Sequence, residues 1–375
     1  MSRKDAEIVG CRSWSKMDRR IRRGVTIEIS GRCQAQCPYC ARERFRPDRF
    51  AGDNMSVELF DKILVHLAEL DIVDRRSVTS IWLYNWGDPF NNPNLDGLLA
   101  SLRTHGFKGS MSSNFARAPE IDDANLSTIS HMTLSLSGIS EETYGRIHGI
   151  SLKKVLKNFD EFYARARCHA PKMVFHISWH RYRFNESEFW DAYRYFGRPN
   201  VVFSPVVAFL NDHVDAMEFM EGAMPEQRKA NVERDLFIDH IEKNRVYHQQ
   251  HSHDYLCPQW DALAINENGR LQLCCGFTSQ DTECLFGSIL DMTRDDIWQT
   301  RPHHICQRCI SSGWARCMHN VTARAGQELA FPKGGGLSVA KFALERTFSM
   351  EKLYTMLQNS KPGRGIIMLA KKARS

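Results

Sequence analysis

Three cysteines fall within the eight residues 33–40, and their spacing suits metal chemistry. Cys33, Cys37 and Cys40 are separated by three and then two residues, so one short loop can turn all three thiolates toward a single point. Thiolates are the usual ligands of iron–sulfur clusters, and a four-iron cluster with only three protein ligands keeps one iron free. The alternatives are a zinc knuckle or unbound thiols. Zinc prefers four tetrahedral ligands, and no fourth Cys or His lies close by in sequence.

The elements that must position this loop are strands and helices in alternation. Residues 25–29 alternate in polarity and are β-branched, which predicts a strand whose carboxyl end leads into the cysteines. A helix is predicted after Ser56, because leucine, isoleucine and phenylalanine recur at helical spacing. Further strands are predicted at 80–84, 131–137, 173–180 and 200–203, with a short one ending at 112–114. Units of about 30 residues in this order predict a parallel sheet.

The spacing C-x3-C-x2-C, with Tyr39 before the last cysteine, resembles the signature of the radical S-adenosylmethionine (SAM) enzymes. In that family the free iron is chelated by the amine and carboxylate of the methionyl group of SAM. An electron from the cluster cleaves SAM to methionine and a 5′-deoxyadenosyl radical, which abstracts a hydrogen from the substrate. The resemblance implies that Cys33, Cys37 and Cys40 hold the catalytic [4Fe-4S] cluster. It also implies the partial (β/α)6 TIM-like barrel of the family.

The stretch Trp86-Gly87-Asp88-Pro89 follows the second predicted strand and resembles the Gly-Gly-Glu-Pro motif of the same family. That motif receives the amino group of SAM, and here Trp86 replaces the first glycine and Asp88 the glutamate. Taken alone, Gly-Asp-Pro is a common turn. The resemblance places further SAM contacts at strand ends. These residues are Tyr39, Asn114 and Ser135.

A second group of cysteines follows residue 250. A predicted hairpin over 262–273, with its turn at residues 266–269, brings Cys257 and Cys274 together. Cys306 and Cys309 then form a C-x2-C pair, and two thiols from each part make a four-ligand site. Four thiolates also suit structural zinc, so the residues alone leave that alternative open.

The pattern C-x11-G-x4-C with a distant C-x2-C resembles the SPASM and twitch domains of radical SAM enzymes. Full SPASM domains carry more cysteines after the C-x2-C, so the twitch type is predicted, with one auxiliary [4Fe-4S] cluster. The resemblance assigns that cluster to Cys257, Cys274, Cys306 and Cys309. Cys275 is the rival of Cys274. Cys284 and Cys317 would serve a second auxiliary cluster if there is one.

Composition sets the class of protein. The chain has 375 residues, 42% hydrophobic and 25% charged, as is ordinary for a globular protein. The predicted division is a basic leader (1–24), the radical SAM barrel (25–250), the SPASM/twitch domain (251–325) and a helical tail (326–375). A net charge of +6 gives no reason to expect a nucleic-acid partner. No signal peptide or membrane span is predicted, so the 12 cysteines favour a reducing cytoplasm over disulfides.

Two substrate classes remain open. Oxidation or epimerisation of a small polyhydroxylated molecule, such as an amino sugar or cyclitol, is favoured because the 24 residues before the first strand are too few for a peptide-leader domain. The alternative is modification of a ribosomally made peptide. His176, Ser178 and His180 share one face of a predicted strand and would line the pocket, unless water alone satisfies them. An electron donor such as flavodoxin or ferredoxin is expected.

A different class of protein also remains open. Both cysteine groups could be structural, which would make the chain a non-catalytic zinc-binding adaptor. The Gly-Asp-Pro stretch and the hydroxyls of the fourth strand would then have only local roles. Zinc without iron or sulfide in anaerobically purified protein would favour that alternative.

Overall fold

A computed structural model describes residues 24–45, 52–73, 80–252, 255–301 and 303–318. Residues 1–23 of the predicted leader and all of the predicted C-terminal tail lie outside these residues, and Gly24 begins the first strand. Within them the chain forms one sheet of nine strands. The strands are β1 (Gly24–Ile27), β2 (Ile81–Trp82), β3 (Gly109–Ser113), β4 (Ile129–Leu136), β5 (Val174–Arg181), β6 (Val201–Val207), β7 (Ala262–Ile265), β8 (Arg270–Gln272) and β9 (Leu285–Ser288).

Eleven α-helices accompany the sheet in the described residues. They are α1 (Val57–Glu69), α2 (Leu95–Thr104), α3 (Asp123–Leu126), α4 (Glu141–His148), α5 (Leu152–His169), α6 (Phe189–Tyr195), α7 (His213–Glu221), α8 (Glu226–Asp235), α9 (Asp239–Gln250), α10 (Arg294–Gln299) and α11 (His304–Ser311). The predicted helix after Ser56 is confirmed. The Ser56 hydroxyl caps it by accepting from the amide of Leu59 at 3.1 Å, and its apolar residues face inward.

The sheet confirms the predicted mixed α/β class and parallel order. The strands run in the order β6-β5-β4-β3-β2-β1-β7-β8-β9, and every pair from β6 to β7 is parallel. Parallel neighbours place their carboxyl ends at one edge of the sheet, where loops can meet. The cysteine loop leaves the carboxyl end of β1 and therefore lies at that edge.

Alternation along β5 separates a helix-covered face from an inner face. Phe175, Ile177 and Trp179 are fully buried, and the Phe175 ring packs edge-on against Phe159 of α5 at 5.7 Å. Complete burial of such side chains stabilises the fold by about 1.5–3 kcal/mol each. His176, Ser178 and His180 alternate with them and therefore face the other side, the lumen of the partial barrel.

The second cysteine region continues the same sheet. The predicted hairpin is confirmed as antiparallel β7 and β8, and β7 pairs in parallel with β1 over residues 24–27 and 262–265. The division predicted near residue 250 thus falls within a chain whose next strand joins the barrel sheet. Among the residues described, no helix is both long enough and apolar enough to cross a lipid bilayer.

Candidate functional site

The first cysteine loop lies between β1 and a short helix at Ala41–Phe45. All three cysteines are half-buried. Burial, followed by the charge of Asp88, raises the pKa of the Cys33 thiol to about 12. Burial likewise raises the pKa of Cys40 to about 11. Both thiols are therefore neutral in the metal-free chain, and a metal must displace their protons to bind.

The C-terminal end of α4 forms one wall of this loop. The Nδ1 atom of His148 lies 3.3 Å from the Cys37 sulfur, and the His148 carbonyl accepts from the Gln36 amide at 2.8 Å. The imidazole stacks on the Tyr144 ring with centroids 4.4 Å apart. Burial lowers the pKa of His148 to about 3, so the ring is neutral at physiological pH. A neutral imidazole can donate one N–H toward the sulfur.

The end of β3 forms the opposite wall. Asn114 donates from Nδ2 to the Cys33 sulfur at 3.6 Å, and its Oδ1 accepts from the Gln34 side chain at 3.0 Å. The structure thus brings a residue predicted to contact SAM against one of the predicted cluster ligands. Its amide is 6% exposed and held in one orientation by these bonds.

Gly87 lies where no side chain fits. A Cβ at this position would stand 1.9 Å from the carbonyl oxygen of Ser30 at the end of β1. One carboxylate oxygen of Glu28 accepts from the amides of Trp86 at 2.8 Å and Gly87 at 2.6 Å. These contacts hold the loop after β2 against the residues that follow β1 and precede the cysteine loop. Close backbone approach is the reason for glycine here.

Asp88 is buried and its carboxylate is already occupied. It accepts from the Ser113 hydroxyl on both oxygens at 3.0 Å, and from the amides of Asn114 at 2.9 Å and Phe90 at 3.0 Å. Burial raises the pKa of this carboxyl while the bonds oppose that rise. The side chain joins the loop after β2, which includes Pro89, to the end of β3. Its direct contact with SAM stays a prediction.

Hydroxyl and imidazole groups line the lumen beside this loop. Ser135 on β4 lies opposite Ser178 on β5, which lies opposite Ser204 on β6. The Ser135 hydroxyl is 3.4 Å from that of Ser112 on β3. Higher on β5, burial lowers the pKa of His180 to about 4, so this imidazole is neutral.

Tyr39 has a different environment from the other predicted SAM residues. Its hydroxyl donates to the Asp235 carboxylate at 2.8 Å and lies 3.0 Å from the Asn231 carbonyl, both on α8. Its ring packs against that of Tyr182 with centroids 6.1 Å apart. The side chain thus anchors the cysteine loop to α8, and only the backbone of Tyr39 remains for a cofactor.

The second region contains a cavity between the hairpin, α7 and α11. All four cysteines predicted to hold the auxiliary cluster line it. They are Cys257, Cys274, Cys306 and Cys309. The rest of the lining is largely apolar and includes Trp260, Phe277 and Ile305, with the ring of His213 from α7. A water-poor cavity with four thiols suits a sulfide-containing cluster.

The three remaining cysteines of this region do not line the cavity. The Cys275 thiol donates to the Gln259 side chain at 3.4 Å. Cys284 and Cys317 are 1% and 0% exposed. Their predicted roles as rival or additional ligands gain no support from this placement, and they stay predictions.

Side chains of Trp86 and Arg44 help to join the two cysteine regions. The Trp86 indole donates to the Phe277 carbonyl at 2.9 Å, which connects the loop after β2 to the wall of the cavity. Arg44, just after the first cysteine loop, pairs with Asp212 at the start of α7 and with Asp281 at 2.9 Å. The tryptophan that replaces a motif glycine therefore has a structural role in this chain.

Within the described ranges, no three His, Cys, Asp or Glu side chains gather closely enough to hold a single metal ion. A tetrahedral zinc site with bonds of about 2.3 Å requires sulfurs only ~3.8 Å apart. A cubane instead binds each cysteine through a different iron. Whether an iron–sulfur cluster fits therefore depends on the donor atoms in each region and on the lining of the cavity. The first loop offers three thiols, with the imidazole of His148 beside Cys37, and the cavity offers four thiols together with His213. Thiols are the usual ligands of iron–sulfur clusters, so both sites have suitable donors.

Several site residues were not found from the sequence. Glu28 interrupts an apolar strand, and that polar residue is a signal that could have identified it. His148 ends an ordinary helix and carried no signal. Asp212, His213 and Asp235 lie in residues 211–250, where no sequence motif marks them. Only the packing of α7 and α8 reveals that they support both regions.

Comparison with known proteins supports the fold. No family profile and no curated protein matches the chain. Among solved structures, SuiB of Streptococcus suis bound to its precursor peptide SuiA matches with a TM-score of 0.53 and 13% identity, over 83% of this chain and 74% of that chain. SuiB bound to S-adenosylmethionine matches with a TM-score of 0.51 and 12% identity, over 81% and 72%.

Proposed function

We propose that the chain is a radical SAM enzyme with a catalytic [4Fe-4S] cluster, bound SAM and one auxiliary [4Fe-4S] cluster. Its fold is that of SuiB, which is a radical SAM enzyme. When bound, the cluster and SAM would supply a 5′-deoxyadenosyl radical, which removes a hydrogen atom from the substrate. The main support for the proposal is that the ends of β1, β2 and β3 lie close together. There the Asn114 amide contacts the Cys33 sulfur at 3.6 Å.

The residues at this meeting point have distinct tasks in the proposal. Cys33, Cys37 and Cys40 hold the cluster, and Gly87 lets the loop after β2 approach it closely. Asn114 and Ser135 face the SAM position from the ends of β3 and β4. Asp88 acts through Ser113 and Asn114, so it is a positioning residue. The buried walls exclude water. A reactive radical requires this exclusion, because it prevents side reactions.

For the substrate we favour a small polyhydroxylated molecule that is oxidised or epimerised. The support is the lumen face of β4, β5 and β6, where Ser135, Ser178 and Ser204 lie side by side. Hydroxyl and imidazole groups pair well with sugar or cyclitol hydroxyls because each can donate or accept. His180 is neutral, so one of its ring nitrogens can accept a hydrogen bond from a substrate hydroxyl.

Modification of a ribosomally made peptide is the second candidate. It is favoured by the likeness to SuiB, which was solved with its precursor peptide. A peptide requires an open groove along the barrel mouth, whereas a cyclitol needs a closed pocket. Incubation of the reduced enzyme with hydroxyl-rich metabolites and with peptides encoded beside its gene separates the two. Substrate-stimulated 5′-deoxyadenosine formation with only one class identifies the substrate.

The electron donor and the cellular compartment of the proposed reaction follow from its redox chemistry. The proposed clusters require a low-potential donor such as flavodoxin or ferredoxin and a reducing compartment, so we place the enzyme in the cytoplasm. The auxiliary cluster at Cys257, Cys274, Cys306 and Cys309 would relay an electron or hold the substrate. Neither a membrane nor a nucleic-acid partner is part of the proposal.

The decisive experiment counts iron and sulfide after anaerobic reconstitution. The wild-type chain is expected to hold about eight irons, and the Cys33→Ala/Cys37→Ala/Cys40→Ala variant about four. With reductant and SAM, only the wild type should form 5′-deoxyadenosine. Zinc without iron would favour the adaptor alternative and overturn the proposal. About twelve irons would mean that Cys284 and Cys317 serve a second auxiliary cluster.

A further inference from the structure

A buried arginine lies in the segment between α10 and α11, and α11 lines the auxiliary cavity. Arg301 follows α10, precedes the cysteine-bearing α11 and is only 5% exposed. Its Nη1 donates to three carbonyl oxygens, those of Gln259 at 3.1 Å, Trp260 at 2.7 Å and Ala262 at 2.8 Å. These carbonyls belong to the turn that connects Cys257 to β7. The guanidinium is therefore fixed directly behind one wall of the cysteine site.

This charge lacks a counter-ion among the described residues. No carboxylate in the described ranges forms an ion pair with Arg301, and its Nε is buried without a hydrogen-bond partner. A buried charge is costly unless an opposite charge lies near it. Burial lowers the pKa of Arg301, and the groups that oppose this effect are all cysteines. They are Cys274, Cys306, Cys257 and Cys275.

We propose that Arg301 is the built-in counter-charge of the auxiliary cluster and sets its reduction potential. This inference rests on the proposed function, since it requires that an iron–sulfur cluster occupies the cavity. A cluster bound by four thiolates carries net negative charge, and one added electron increases that charge. A fixed positive charge therefore stabilises the reduced cluster more than the oxidised one. Arginine suits the role because it stays protonated in proteins.

The expected size of the effect follows from Coulomb attraction. At an effective dielectric constant of ~20, two unit charges within ~10 Å of each other attract strongly enough to change an equilibrium constant at least about tenfold. Loss of the charge should therefore lower the equilibrium constant for reduction at least about tenfold, which corresponds to 59 mV for one electron. The three hydrogen bonds to carbonyls also hold the turn, so a structural role must be separated from the electrostatic one.

The test is a redox titration, followed by electron paramagnetic resonance, of the full chain with Cys33, Cys37 and Cys40 changed to alanine. Only the auxiliary cluster remains in this parent. Arg301→Gln removes the charge and keeps donors, whereas Arg301→Lys keeps the charge. Arg270→Gln is the matched control, because Arg270 is an exposed arginine on the hairpin of the same region. Iron content and urea unfolding are measured on every variant.

The expected result is a lower potential for Arg301→Gln, with Arg301→Lys and Arg270→Gln close to the parent. A cluster of four irons with unchanged potential in Arg301→Gln would overturn the inference. If Arg301→Gln fails to hold iron, Arg301→Lys decides: iron and potential retained support the counter-charge, and loss of either refutes it. A parent that binds zinc or no metal at all would refute the proposed function instead.

Discussion

The two cysteine regions offer similar thiol ligands but bring them together in different ways. Three cysteines of the first region lie on one loop of eight residues, at the end of a single strand. The four cysteines that line the cavity come from a turn, the end of a hairpin and a helix, and span residues 257–309. The first group is gathered by local chain geometry, whereas the second exists only after strands and helices have packed. A local site tolerates distant changes, and an assembled site does not.

The two regions also differ in how they handle charge. Around the first loop, His148 is neutral and the carboxylate of Asp88 is engaged by Ser113, Asn114 and Phe90. Beside the second cavity stands the fixed charge of Arg301 with no described carboxylate partner. The first region also contains a buried positive charge, since Arg42 is only 5% exposed and its charge opposes the rise in the pKa of Cys33 and Cys40. The regions therefore differ in the anionic groups near the buried arginine: a carboxylate, Asp88, lies beside the first loop, whereas only thiols oppose the loss of charge from Arg301.

The largest expected effect is on iron content, which a variant of the second region should lower without removing the cluster of the first. Cys257→Ala/Cys306→Ala removes half of the assembled ligand set, so iron should fall from about eight to about four atoms per chain. Reductive cleavage of SAM should persist, because the first loop does not depend on these residues. Cys168→Ala is the control, since Cys168 is exposed and outside both groups. Loss of all iron in the double variant would show that the regions are not independent.

A pair of glycines tests the close packing of the first region. Gly87→Ala places a Cβ 1.9 Å from the Ser30 carbonyl oxygen, a backbone atom that cannot move aside. We expect a loss of about 1–3 kcal/mol in the free energy of unfolding and at least tenfold weaker SAM binding. Gly145→Ala in α4 is the matched control, because no heavy atom lies within 4 Å of its Cβ.

These glycine effects are measured by urea unfolding and by calorimetric titration with SAM. In the middle of a helix, alanine should stabilise by about 0.5–1 kcal/mol. Equal behaviour of the Gly87 and Gly145 variants would contradict the close approach of the loop after β2 to β1. Weakened SAM binding in Gly145→Ala would contradict the assignment of the binding site.

Glu28 tests the boundary between the regions, where it meets Glu267 of the hairpin turn. Burial and then the charge of Glu267 raise the pKa of Glu28 from 4.5 to about 7. The folded chain thus holds more protons than the unfolded chain between these values, and stability falls as pH rises from 4.5 to about 7. Glu28→Gln should flatten this part of the pH profile.

The measurement for Glu28 is the urea midpoint of the metal-free chain at pH values from 4 to 8. Glu58→Gln, at an exposed carboxylate on α1, is the control and should leave the slope between pH 4.5 and 7 as in the wild type. An unchanged slope in Glu28→Gln would mean that Glu28 ionises normally. The two buried carboxylates would then not face each other across the boundary between the regions.

The smallest expected effect is at the cap of α1, which contributes no cysteine to either region. Ser56→Ala removes the cap of α1 and should cost about 1 kcal/mol of stability, because the Leu59 amide loses its acceptor. Iron content and 5′-deoxyadenosine formation should not change. Ser56→Asp restores a capping oxygen and should recover most of the loss. A change in iron content would show that α1 matters to the sites more than its position indicates.

Much of the architecture was predictable because its signals are local. The helix Val57–Glu69, the parallel strands and the hairpin at residues 262–273 all appear where periodicity and turn residues place them. The four cavity cysteines were also predicted together, since a hairpin must bring its ends together. Boundaries were less accurate: β2 is only Ile81–Trp82, because the next residues bend toward Glu28 and the cavity wall.

The sequence by itself determined the thiol sets, the alternation of elements and the resemblance to radical SAM enzymes, because each depends on spacing along the chain. Only the tertiary structure decided which residues serve those thiols. His148 reaches Cys37 across 111 residues, and Arg301 reaches the turn after Cys257 across 39–42 residues. Such contacts depend on how strands and helices pack, and packing gathers side chains whose separation along the chain carries no pattern.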